Sequence, residues 1–216
     1  MPELSFEVEG AQVVPFAAAP MLMFALRVTN AIADEPITTI ALRCQIQIES
    51  TRRPYSDGEA HLLRDLFGER ARWSQTLKGM LWTFSSTVVP PFTGSVTAEV
   101  AVPCTFDFNV AATKYFYALE TGEVPLNFMF SGTVFYETEN GELQVAQVPW
   151  DREAAFRLPI SVWRAMMDHY YPNLAWLTLR KDVFDQLYRY KLAHGLATWE
   201  NVFESLLSVE ARPVAP

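Results

Sequence analysis

The sequence predicts a mainly β protein of the α+β class: a two-layer antiparallel β-sandwich with one short inserted helix and C-terminal helices packed on it. Three observations lead there. Through most of the first 158 residues, apolar side chains alternate with polar ones at the period of two that half-buried strands require. The alternating runs are short and lie at hairpin-compatible spacings, which favours antiparallel pairing into two packed sheets. From Pro159 onward the apolar period changes to that of a helix.

The elements follow in order. In "LSFEVEG", Leu4, Phe6 and Val8 alternate with Ser5, Glu7 and Glu9. The run "VVPFAAAPMLMFALRV", residues 13–28, is interrupted by Pro15 and Pro20 and ends around Arg27. It is shorter than the roughly 20 residues of a membrane span, so it reads as a loop entering a buried strand with Leu22, Phe24, Leu26 and Val28 on one face. Next, Ile40, Leu42, Cys44, Ile46 and Ile48 share a dry face, and Thr39, Ala41, Arg43, Gln45 and Gln47 a wet one. Ser56 and Glu59 then have the spacing of a capping box. Ala60, Leu63 and Phe67 recur at helical spacing until Gly68.

"LWTFSSTVV" is a strand that breaks at Pro90 and Pro91. "SVTAEVAV" sets Val96, Ala98, Val100 and Val102 on one face, a parity that Cys104, Phe106 and Phe108 continue. "AATKYFYALETGE" is the inserted helix, with Ala112, Tyr115, Phe116 and Leu119 on one side and Gly122 beyond its end. "VPLNFMFSGTVFYE" is a long strand. Asn140-Gly141 signals a type I′ hairpin into "ELQVAQVPW", where Glu139 and Glu142 would flank the turn as like charges. These are at least seven strands.

In "PISVWRAMMDHYYP", Trp163, Met166, Met167 and Tyr170 form one helical face before Pro172. "RKDVFDQLYRYKLAHG" carries Phe184, Leu187 and Tyr188, with Asp185 four residues before Arg189 as a supporting pair and Gly195 as a cap. Thr198 caps a last helix in which Trp199, Val202, Phe203, Leu206 and Leu207 share a face, followed by a loose tail. The expected division is a sandwich over 1–158 and a helical segment over 159–216, packed together as one unit.

Composition limits function. Half of the 216 residues are apolar and 19% are charged, enough for a sizeable core. The formal net charge of −8 is the reverse of a nucleic-acid binder's balance. "MPELSFEVEG" lacks the positive segment of a secretory signal. Two cysteines, both on core parity, make neither a disulfide framework nor a metal-ligand spacing, which points to the reducing cytoplasm with no cofactor and no metal.

No nucleophile elbow, phosphate loop, dinucleotide fingerprint or zinc-protease motif occurs, so no catalytic residue is assigned. His61, His169 and His194 all fall on expected helices. Arg52 and Arg53 lie in a strand-to-helix turn that reads as solvated. Arginine and amphipathic aromatic residues are the common anchors of protein contacts. The candidate binding residues are therefore Arg52, Arg53 and Tyr55, together with Tyr170 and Tyr171.

The segments "ALRCQIQIE", "VPPFTGS", "VPCTFDF", "KYFYALETGEVPL", "FSGTVFY", "VPWDREAAFRLPISVWRAMMDHYYPN" and "LRKDVFDQLYRYK" carry a resemblance. In this order they are similar to an uncharacterised bacterial family known only as a domain of unknown function. Genes of that family accompany oxygen-tolerant uptake NiFe hydrogenases and their maturation factors. The resemblance spans Leu4 to Leu207 and supplies no catalytic or metal residue. It implies a soluble accessory protein of hydrogenase assembly or operation, bound to a hydrogenase subunit or maturation factor.

Nickel delivery would favour a histidine-rich tract, and iron–sulfur carriage several spaced cysteines, and the sequence has neither. The leading expectation is thus a non-enzymatic accessory or scaffold protein that binds another protein, with neither nucleic-acid binding nor membrane insertion. The alternatives are a hydrolase using Asp151, Glu153 and a distant histidine, or a sugar-binding sandwich using Trp150, Trp163, Tyr170 and Tyr171.

Overall fold

Eight strands form two antiparallel sheets in a computed structural model that describes residues 2–210, apart from Ala33, Phe108 and Glu139 and the side chains of Val209 and Glu210. The expectations for Phe108, for the Glu139–Glu142 pairing and for the tail beyond residue 210 lie outside the described residues. The first sheet is β1 (Leu4–Val13), β2 (Met21–Asn30) and β5 (Ser95–Pro103), in the order β1-β2-β5. The second contains β3 (Ile37–Ile48), β4 (Met80–Val89), β6 (Glu123–Glu137), β7 (Leu143–Gln147) and β8 (Glu153–Pro159). Its order runs β4-β3-β6, and the far edge of the long β6 is shared: β7 pairs with its second half and β8 with its first.

The dry parities meet between the sheets. Phe24 of β2 stands edge-on to Phe128 of β6 at 5.1 Å, and Phe6 of β1 stacks on Phe130 at 4.4 Å. Ile46 and Val100 are buried and Gln47 is half-buried, as alternation predicts. Ile46→Ala is expected to cost about 2–5 kcal/mol, and Gln47→Ala about 0.5 kcal/mol or less. Urea denaturation of the two variants checks this, and equal losses would show the register to be wrong.

The strand β8 escaped the sequence reading. It alternates correctly, with Ala154 and Leu158 buried and Glu153, Ala155 and Arg157 exposed. Only Phe156 and Leu158 among its residues are large and apolar, so the period-two signal is weak.

The β3–β4 connection holds α1 (Asp57–Leu62), α2 (Arg64–Phe67) and α3 (Trp73–Thr76), so the single helix expected after Ser56 divides at Leu63. Its start is as predicted: Glu59 N–H donates to Ser56 Oγ and Ser56 N–H to Glu59 Oε2, each at 3.0 Å. The inserted helix is α4 (Val110–Ala118). Its cap Asn109 accepts from Ala112 N–H and donates its amide to the carbonyls of Leu81 and Trp82, which ties the helix to β4.

The described residues fall into two compact units that divide after Leu174, not after residue 158. The reason lies in α5 (Ile160–Tyr170), which buries Ile160, Trp163, Met166 and Met167 in the sandwich core, with Trp163 stacked on Phe116 at 5.1 Å. The second unit pairs α6 (Lys181–Ala193) with α7 (Trp199–Glu210) across a turn in which Gly195 has φ 63°. Thr198 Oγ1 accepts from Asn201 N–H at 3.2 Å as the expected cap of α7. Asp185 and Arg189 do not form an ion pair among the described residues.

Candidate functional site

Beyond β3 the chain turns inward rather than out to solvent. Arg52 is exposed and pairs with Glu49 at 3.1 Å, as expected of a solvated turn. Arg53 departs from that expectation. Its side chain is only 7% exposed and meets the equally buried Glu59 carboxylate at 2.8 Å. Its guanidinium also donates to the Thr121 and Pro54 carbonyls and stands 4.9 Å from the centre of the Tyr55 ring. One nitrogen, Nη1, is buried without a hydrogen-bond partner among the described residues. The adjacent π face offsets part of that cost.

Tyr55 belongs to the same cluster. Its hydroxyl donates to the Ser50 carbonyl at 2.6 Å. A hydroxyl has one hydrogen, so Tyr115 is the donor in the 2.8 Å bond between the two phenols. Burial pushes both phenols above their ordinary range. Glu59 Oε1 accepts in addition from Glu120 N–H at 3.0 Å. This cluster locks the β3–α1 turn to the end of α4, and Arg53 and Tyr55 are its internal struts. The sequence marks them as polar but cannot show that the chain folds back over them.

Tyr170 and Tyr171 are likewise engaged. The Tyr170 hydroxyl donates to the Val14 carbonyl and accepts from Ala17 N–H, while His169 Nε2 donates to the Pro15 carbonyl at 2.9 Å. Together they pin the loop between β1 and β2 against α5. Tyr171 is half-buried against Phe106 at 5.1 Å. The residues of the sugar-binding alternative are not gathered, since Trp163 is buried in the core and Trp150 is 92% exposed. Among the described residues no three His, Cys, Asp or Glu side chains are grouped as metal ligands.

Cys44 and Cys104 are buried free thiols, and burial pushes each up to about 12. Both are expected to resist a disulfide-exchange reagent at pH 8 until the chain unfolds. In the unfolded chain the thiols ionise near 9, so the folded state holds more protons above that pH. Stability from these groups is therefore complete below about pH 9 and is lost as pH rises toward 12. Substituting alanine at both positions should flatten that decline, which pH-dependent urea titrations measure.

The outer face of the larger sheet is different in kind. Opposite Ile46 and Gln47 of β3, the register of β4 shifts, and Trp82 is the extra residue. Trp82 and Thr83 both point inward, so the parity of the strand inverts from there on. As a result Thr83 and Ser85 are buried, while Phe84 and Val88 are 55% and 70% exposed. The buried hydroxyls find acceptors: Ser85 Oγ donates to the Ala101 carbonyl of β5 at 2.8 Å and Thr83 Oγ1 to the Phe84 carbonyl.

The registers place Val88 beside Ala41, Ser86 beside Arg43 beside Ser131, and Phe84 beside Gln45 beside Met129. Arg43 stands exposed in the middle row and forms no ion pair among the described residues. Strict alternation would have put Trp82, Phe84 and Val88 on one side, so the sequence hides this surface until the bulge is known.

The fold is thus a two-sheet antiparallel sandwich with helical insertions, and the outer face of its larger sheet exposes Phe84 and Val88 on either side of the Arg43 row. The chain belongs to the family of unknown function DUF6084, matched over residues 1–214. No curated protein shows significant sequence similarity to it. Similar solved structures include a Bordetella pertussis protein described as ApaA, at 13% identity over 73% of this chain and 93% of that one, with a TM-score of 0.24. A protein described as late embryogenesis abundant matches at 13% identity over 74% of this chain and 72% of its own, with a TM-score of 0.30. The structural-genomics target SoR45 matches at 10% identity over 83% and 93%, with a TM-score of 0.24. No helix among the described residues is long and apolar enough to cross a membrane.

Proposed function

We propose that the protein is a non-enzymatic accessory protein that works by docking another protein on the outer face of its larger sheet. The observation that carries this reading is the inverted strand β4, which buries Thr83 and Ser85 and turns Phe84 and Val88 to the outside. A strand loses hydrophobic stabilisation by that choice. It gains an apolar patch with a cation, Arg43, at its centre, on a chain whose formal net charge is −8. Such a patch suits a partner that presents apolar side chains around a carboxylate. The family resemblance supplies the partner class, a NiFe hydrogenase subunit or one of its maturation factors.

The test is a titration of the purified chain against purified hydrogenase subunits and maturation factors from the same host. One of them is expected to bind, and Phe84→Asp should weaken that complex by about thirtyfold, the scale of a central anchor. Arg43→Glu should weaken it too, and should reverse the sign of its salt dependence. Arg52→Glu, on the exposed turn, is the comparison arm. Binding that ignores both sheet-face variants while circular dichroism stays unchanged would move the docking site elsewhere. Failure to bind any of these proteins would remove the hydrogenase assignment.

A further inference from the structure

The second unit holds a surface of another kind. It is a hairpin of α6 and α7, preceded by an irregular segment over 175–180. The unit is close to the size of about 40 residues below which folded units usually need disulfides, a metal or oligomerisation. The sequence from residue 175 to the end contains no cysteine and one histidine, His194, whose ring stacks on Tyr190 at 4.0 Å. The hairpin's own packing is thin. Val202 is its one fully buried apolar side chain among the described residues, and α6 buries none.

Apolar surface is plentiful instead. Phe184, Tyr188 and Trp199 cluster with ring centres 5.2–6.3 Å apart, yet Phe184 and Tyr188 stay 43% and 48% exposed. Leu192 and Leu207 are about two-thirds exposed. An open cavity of about 450 Å³ is lined by Leu177, Leu179, Lys181, Phe184, Trp199 and Phe203.

Charge selects the occupant. The helix α6 carries Lys181, Arg189 and Lys191 against Asp182 and Asp185, whereas α7 carries Glu200, Glu204 and Glu210 and no base. In a two-fold dimer that sets α6 of one copy beside α7 of the other, symmetry repeats that contact. That arrangement is the one in which a weakly basic helix meets an acidic one on both sides. We infer that the C-terminal hairpin docks on a second copy of itself, forming a symmetric four-helix bundle that joins two chains. This surface belongs to the second unit and the sheet face to the first, so the two proposals stand or fall independently.

The experiment uses the full chain in sedimentation velocity over a concentration series. The wild-type chain is expected to be a dimer. Two variants follow, one with Lys181→Glu and Arg189→Glu, the other with Glu200→Lys and Glu204→Lys. The first makes both helices acidic and the second makes both basic, so each alone is expected to dimerise about tenfold more weakly or worse. Mixed in equal amounts, they should form a one-to-one heterodimer, because each acidic helix then faces a basic one. Near-ultraviolet circular dichroism checks that each variant remains folded. A wild-type chain that is monomeric throughout, with the hairpin covered by its own chain, overturns the inference. So do variants that dimerise like the wild type, or a mixture that fails to recover the dimer.

Discussion

Replacing Gly132 with alanine is expected to destabilise the protein by about 3 kcal/mol or more, with the strain of the backbone and the clash adding. Gly132 lies in the middle of β6 with φ 154°, a conformation that side chains disfavour, and a Cβ there would stand 2.2 Å from the Ala41 carbonyl oxygen of β3. The obstacle is backbone, so no rotamer change relieves it. Gly10→Ala is the control. It sits at the bulge of β1 with nothing within 4 Å of the added methyl, and should change stability by about 0.5 kcal/mol or less. Equal urea midpoints for the two variants would show that β6 does not approach β3 in this way.

Arg53→Ala is expected to have a comparable effect, about 3–5 kcal/mol, because it strands the Glu59 carboxylate in a buried site. The sign of the compensation is the diagnostic. With Glu59→Gln added, no charge is left uncompensated, and the double variant should recover much of the loss. Arg52→Ala, one residue away but 68% exposed, should cost about 0.5 kcal/mol or less. Thermal and urea unfolding of the three variants measures this. A double variant no better than Arg53→Ala alone would mean that the guanidinium matters for packing rather than for charge.

Much of the architecture is legible in the sequence. Alternation places Leu42, Cys44 and Ile46 together on one dry face, and all three are buried. The capping box at Ser56 and the apolar face of α5 are equally readable, because each depends on residues within one or two turns. What cannot be read depends on contacts between distant segments. Arg53 looks solvated in sequence because Glu59, Thr121 and the Tyr55–Tyr115 pair close over it only in the fold. The outward turn of Phe84 depends on a bulge, and a single extra residue reverses every later side chain. The boundary after Leu174 escapes notice since a helical period alone does not say which core a helix joins.

The pairing of β3 with β6 also has a bearing on how the protein is made. Ile48 at the end of β3 finds Leu126 near the start of β6, so its partner on that side leaves the ribosome close to eighty residues later. At about 5–20 residues per second that is a wait of roughly 4–16 s. Throughout it one edge of β3, a strand that carries Ile40, Leu42, Ile46 and Ile48, lacks its hydrogen-bonded neighbour. Such a segment is a natural client for a chaperone that shields extended apolar stretches. Slowing translation between β3 and β6 is expected to lower the soluble yield while leaving the melting temperature of the molecules that do fold unchanged.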